Sequence, residues 1–284
     1  MRWHDVAGEA IGTFILVFFG CGSVAVTVLF SAHVGLFQVA AIWGTAVTLA
    51  IYATRHLSCA HLNPAVSLAM VLGRRMSPCK LPAYVGAQFF GAFLAAGLIY
   101  LLFGASITAY EIAHGIVRGT SSSIQTAMIF GEFFPNPGVA AVVSVSTLNA
   151  FAAEVTGTFI LVFLIFALTD GCNVGRPDDT LGPLFIGLTV MALICIIAPL
   201  TQAGFNPARD LAPRIFAAIA GWGRAAFPSP DHAFLTVYVA GPCLGGSLAA
   251  LVFTKLLQPV LERKTGDDCG CNCNNGKEPK EVGE

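Results

Sequence analysis

The sequence predicts an all-α membrane protein in which six transmembrane helices and two short re-entrant helices form an inverted internal repeat. Three observations predict it. Of the 284 residues, 56% are hydrophobic and only 11% charged, where a soluble domain carries about 25% charged residues. Six apolar runs are long enough to approach or reach spanning length. The tripeptide Asn-Pro-Ala occurs twice, at Asn63 and at Asn206, each time just after one of those runs.

In chain order the runs are Val6–Phe30, Leu36–Ala53, Leu81–Phe103, Leu148–Leu168, Leu181–Pro199 and Ala233–Leu257. Within the first, Ile11–Phe30 alone has about the 20 residues that cross a bilayer. It is too long for a secretory h-region, and acidic Asp5 and Glu9 stand where a signal peptide is basic. It reads as a retained first span. The apolar pieces that start at Asn63 and Asn206 are too short to span.

Asn-Pro starts a helix well, because Asn caps N-termini and Pro fits the first helical position. The residue before Pro is pushed out of the α region. Each copy therefore reads as extended backbone feeding a short helix. At membrane depth such backbone needs surrounding protein or a water-filled cavity to take its hydrogen bonds. Two such stretches point to a pore.

The chain repeats itself. Glu9–Phe18 matches Glu154–Phe163 at eight of ten positions, an offset of 145, and the two Asn-Pro-Ala motifs are offset by 143. Val85–Ala96 and Val239–Ala250 share Gly and Ala positions at an offset of 154. The halves, about 1–110 and 147–258, hold three spans each. Three is odd, so the halves insert with opposite topology, as in channels and transporters whose broken helices meet at the midplane. A channel domain covers residues 1–264, and residues 265–284 form a polar tail expected to be disordered and cytoplasmic.

Charge placement orients the chain. Arg74, Arg75 and Lys80 follow the second run, and Arg176 follows the fourth. Arg2 precedes the first, and Lys255, Arg263, Lys264, Lys277 and Lys280 end or follow the last. The positive-inside rule puts both termini in the cytoplasm. The long linker Gly104–Ser146 then lies outside and packs over the mouth. A net charge of -1 speaks against a nucleic-acid partner. Of the nine cysteines, Cys21, Cys59, Cys172, Cys195 and Cys243 lie in or beside apolar segments and read as small hydrophobes. Cys269, Cys271 and Cys273 sit in the tail. Three thiolates suit a soft metal or trivalent arsenic, but with no fourth ligand evident they read as incidental.

Two helix N-termini converge, each worth about half a positive charge, with the amides of Asn63 and Asn206 beside them. That centre repels cations and hydronium and turns a passing water's oxygen toward both amides. Carbonyls of Cys59, Ala60, His61 and Leu62, and of Gly204 and Phe205, are expected to form a ladder of acceptors along one wall. Where the first motif has Val66 the second has Arg209. An intramembrane Arg is costly and marks function by default; here it adds charge against cations and donors for a hydroxylated solute. Pairing of Arg209 with Asp210 is the plain alternative. Glu9 and Glu154 read as supports that accept hydrogen bonds from the loop of their own half, with a proton relay as the alternative, and His61 as a further loop support.

At these residues the chain resembles the major intrinsic protein family of aquaporins and glycerol facilitators, over about residues 5–258. The resemblance implies a right-handed bundle of six spans and two half-helices, with one pore per subunit in a homotetramer. It implies that Asn63, Pro64, Ala65 and Asn206, Pro207, Ala208 form the pore motifs, and that Trp43, Ile194, Ala203 and Arg209 form the selectivity filter. Asp210, Trp43, the Pro135-Asn136-Pro137 loop and Gly221-Trp222-Gly223 are similar to glycerol facilitators. Ala203 departs from them, since they carry an aromatic there, and the four filter residues together resemble nodulin-like members. Cys59 stands where the family has Gly and suggests a thiol-sensitive pore.

The expected activity is therefore passive passage of glycerol and other small uncharged solutes, with water, through a multi-pass protein of the cell membrane. No enzymatic activity, cofactor or metal is expected. The alternatives are a nodulin-like channel for water and neutral metalloid acids, a proton-coupled secondary transporter working through Glu9 and Glu154, and a non-conducting scaffold. Trp43 and a buried Arg209 argue against the last.

Overall fold

The computed structural model describes residues 2–139, 144–227 and 233–268, with side chains to 263. The described residues contain no strand. The helices that build the bundle are α1 (Trp3–Phe30), α2 (Leu36–Ser58), α3 (Pro64–Leu72), α4 (Leu81–Ala113), α5 (Thr147–Thr169), α6 (Gly182–Thr201), α7 (Pro207–Ala217) and α8 (Ala233–Arg263). Six are long and apolar enough to cross a membrane. α3 has nine residues and α7 eleven. At 1.5 Å per residue they reach about half of a 30 Å hydrocarbon layer.

Each short helix starts as its sequence dictates. Asn63 has extended backbone, and its Oδ1 accepts from Ala65 N at 2.8 Å. Asn206 does the same for Ala208 N and Arg209 N at 3.1 and 3.2 Å. Pro64 and Pro207 occupy the first helical turn, where a missing N–H costs nothing.

Packing follows the repeat. α1 lies on α2 and α4, α5 lies on α6 and α8, and α2 faces α6. The short helices cross over: α3 packs on α8, from the other half, and α7 packs on α4. The α1–α4 and α5–α8 crossings are close enough to demand glycine. A β-carbon on Gly91 would collide with the Ala10 carbonyl oxygen, and one on Gly245 with that of Val155. These two crossings are equivalent in the repeat. Large apolar side chains such as Phe19, Phe90, Leu101, Ile196 and Leu248 remain exposed around the bundle, the surface a bilayer covers.

Three expectations are corrected. The third span does not end at Phe103: α4 continues ten residues, to Ala113. That stretch lacks proline, and its last turn is anchored by buried Glu111, which pairs with Arg118 at 2.8 Å. The linker therefore begins at His114. The segments before Asn63 and Asn206 are not simply extended. Cys59, Ala60 and Leu62 have left-handed φ values of 70°, 51° and 55°, and Gln202, Ala203 and Phe205 have 60°, 64° and 54°. The left-handed turns swing the chain out of α2 and α6 and back toward the short helices. Finally, helix runs from Gln258 to Asp268, four residues into the stretch read as tail. The expectations for Cys269, Cys271 and Cys273 fall outside the described residues.

Candidate functional site

Left-handed backbone at a non-glycine residue costs on the order of 1 kcal/mol or more, and each loop carries three such residues. Something must hold them, and both halves use the same parts. In the first half, Glu9 Oε1 accepts from His61 N at 2.9 Å, and Oε2 from Leu62 N at 2.7 Å. In the second, Glu154 Oε1 accepts from Gly204 N at 2.9 Å, and Oε2 from Phe205 N at 2.8 Å. Ser58 Oγ and Thr201 Oγ1 each accept from the backbone two residues on, at 3.2 Å. The Tyr84 and Tyr238 hydroxyls donate to the Ser58 and Thr201 carbonyls, at 2.6 and 3.1 Å. Both carboxylates are fully buried. A third donor reaches each: Gln88 Nε2 to Glu9 and the Thr201 hydroxyl to Glu154. His61 Nδ1 lies 3.2 Å from Ser67 Oγ, so this side chain also ties loop to helix.

With the loops held, the two helix tips meet. Asn63 Nδ2 donates to Phe205 O at 2.8 Å, and Asn206 Nδ2 donates to Leu62 O at 2.8 Å. Each amide thus spends one hydrogen on the opposite half and keeps one. Both side chains line the same cavity, of about 860 Å³. The carbonyls of Leu62 and Phe205 already accept one amide each. The expected ladder is therefore freest at Cys59, Ala60, His61 and Gly204, which line the same cavity.

A second cavity of about 450 Å³ opens on the side of the 114–139 linker. Three residues line both cavities: Trp43, Ile194 and Arg209. They form the wall between them. Ala203, the fourth expected filter position, lines only the larger cavity. The Arg209 guanidinium sits 4.1 Å from the Trp43 ring centroid, and both side chains are buried. Stacked in this way, the pair presents an apolar ring and guanidinium donors side by side in one wall.

Asp210 is not the partner of Arg209. Its carboxylate accepts from Arg214, one turn on, and from Glu132 N at 2.8 Å. Arg209 instead pairs with the carboxylate of Glu132, a residue that sequence reasoning missed. Glu132 is fully buried, on the linker that was expected to cover the mouth. Burial outweighs the pull of Arg209 and leaves its carboxyl raised to about 8. The linker is pinned from several sides. Phe133 N donates to Gln202 Oε1 and Asn136 Nδ2 to Ala198 O, both at 2.8 Å, and Arg214 reaches the Glu132 carbonyl. Gln202 is the repeat counterpart of Cys59, which is exposed in the larger cavity with no such duty. Among the described residues no three His, Cys, Asp or Glu side chains group as metal ligands.

Comparisons with known proteins agree with this geometry. The family model described as major intrinsic protein matches residues 1–253. The glycerol uptake facilitator protein of Haemophilus influenzae is 39% identical over 267 residues, covering 94% of this chain and 95% of that protein. Mouse aquaporin-9 is 36% identical over 255 residues, covering 89% and 82%. Among solved structures, the aquaglyceroporin of Plasmodium falciparum matches with a TM-score of 0.79 at 26% identity, covering 93% of this chain and all of that one.

Proposed function

The chain belongs to the major intrinsic protein family, and from that premise we propose that it is a passive channel for glycerol and other small uncharged solutes, with water. Ions and protons are excluded. The observation that carries the reading is the wall of Trp43, Ile194 and Arg209 between two open cavities. Such a wall suits a solute with a carbon backbone on one side and hydroxyls on the other. The relatives named glycerol uptake facilitators support the same substrate class.

In this reading Asn63, Pro64, Ala65, Asn206, Pro207 and Ala208 form the central pore motifs. Two opposed helix tips and two amides make that centre hostile to cations. Free carbonyls before each Asn replace part of a solute's hydration, and Glu9 and Glu154 hold those carbonyls in place. Proton coupling is disfavoured, because each carboxylate is buried and already accepts three donors from its own half. The small Ala203 leaves room that an aromatic would fill, which favours passage of neutral metalloid acids as a second activity. The protein is a multi-pass integral membrane protein. We assign it to the cell membrane as a homotetramer with both termini cytoplasmic, the orientation that the basic loops favour.

Liposomes carrying the protein should swell faster in a glycerol gradient than empty ones. Equal rates would remove the proposal.

A further inference from the structure

We propose that Gly20, on α1 outside the pore lining, is a specificity-determining residue that sets the width of the filter by seating Trp43. The inference rests on the reading of Trp43 as a wall of a solute path. A β-carbon built on Gly20 would meet Cη2, Cζ2 and Cζ3 of Trp43, all well inside the 3.0 Å that real β-carbons keep. The outer edge of the indole therefore rests directly on the α1 backbone. Its face carries the Arg209 guanidinium, 4.1 Å from the ring centroid. The ring is enclosed by α1 at its edge and by Arg209 on its face, and it borders the two cavities. A methyl group at position 20 forces the ring edge to move by about 1.5 Å to restore van der Waals contact. The space open to it is the passage, so the passage narrows.

The repeat supplies an independent argument. At the offsets given above, Gly20 corresponds to Ile165 and Trp43 to Ile186. Both isoleucines line the larger cavity. One half thus places two medium side chains where the other pairs a missing side chain with the largest one. Glycine weakens a helix interior relative to alanine, and Gly20 lies inside a 28-residue helix. It stands where the bulk of Trp43 needs the room.

The test compares glycerol and water permeability in proteoliposomes for the wild type, Gly20→Ala and the double variant Gly20→Ala/Trp43→Phe. Gly22→Ala serves as the control on the same helix, because a β-carbon there meets only Ile99 Cδ1 at 3.4 Å. Gly20→Ala should lower the glycerol-to-water permeability ratio by about tenfold, and Gly22→Ala should leave it unchanged. The double variant, whose phenyl ring lacks the colliding edge, should recover glycerol passage. If Gly20→Ala does not fold, the double variant should fold and conduct. An unchanged ratio in Gly20→Ala overturns the proposal, as does a double variant no better than the single one in yield or flux. A wild type that passes water but no glycerol would instead remove the proposed substrate.

Discussion

The carboxylate of Glu154 holds a strained loop, and its loss can be sized from the structure. It accepts three buried donors: the Thr201 hydroxyl at 2.6 Å, Gly204 N at 2.9 Å and Phe205 N at 2.8 Å. Leaving a buried donor unpaired costs about 1–3 kcal/mol. Glu154→Ala strands all three, about 3–9 kcal/mol, against a total stability of about 5–15 kcal/mol. That variant should yield little folded protein. Glu154→Gln is the informative change. Its carbonyl oxygen can take the place of Oε1 and keep two donors, while its NH2 group faces Phe205 N. One donor is lost, about 1–3 kcal/mol. At about 2–4 °C per kcal/mol the melting temperature in detergent should fall by about 2–12 °C. Phe205 O also receives the amide of Asn63, so a disturbed Phe205 shifts the pore centre and glycerol flux in liposomes should fall with it. A Glu154→Gln protein with wild-type melting and wild-type flux would refute the account of the loop. Flux that follows an imposed proton gradient in the wild type, and loses that dependence in the variant, would instead revive the coupled transporter.

Three further outcomes follow from named contacts. Arg209→Val removes the cation from the wall and leaves the buried Glu132 carboxylate without its partner; proton or sodium leak into liposomes should rise, and unchanged leak would contradict the role given to Arg209. Arg214→Met breaks a fully buried pair with Asp210 that also grips the linker, which should cost about 3–5 kcal/mol; a melting temperature within 2 °C of the wild type, a shift worth about 1 kcal/mol or less, would show the linker is held elsewhere. A membrane-permeant mercurial should slow glycerol flux through Cys59, which is exposed in the larger cavity, and Cys59→Ser should abolish that sensitivity. Inhibition that survives Cys59→Ser would assign it to another thiol.

Much of the fold is local and could be read from the chain. Asn-Pro-Ala ahead of apolar sequence favours a capped helix start, and runs of apolar residues dictate spans. The odd number of spans in each half dictates the inversion. Glu9 and Glu154 stand out in the sequence as candidate supports, because a carboxylate recurring at one repeat offset inside apolar sequence marks the same duty in both halves. What depends on distant contacts was not legible. The pairing of Glu132 with Arg209 joins residues 77 positions apart through a linker with no periodicity. Asp210 pairs with Arg214, one turn on, the spacing at which helical side chains meet, and not with its neighbour Arg209. The left-handed pattern at Cys59, Ala60 and Leu62 breaks the preference of those residues, so only the surrounding hydrogen bonds reveal it.

The crossed seating of the short helices has a consequence for how such a protein can be built. Each tip rests on a wall supplied by the other repeat, and each amide finds its acceptor there. A single repeat synthesised alone would present a tip with no seat and a seat with no tip. Its smallest complete form is a pair related by a two-fold axis in the membrane plane, one copy inserted upside down. Drift in either repeat of the fused chain is thereby answerable to its inverted partner, as where Gly20 and Trp43 in one half stand at the positions of Ile165 and Ile186 in the other.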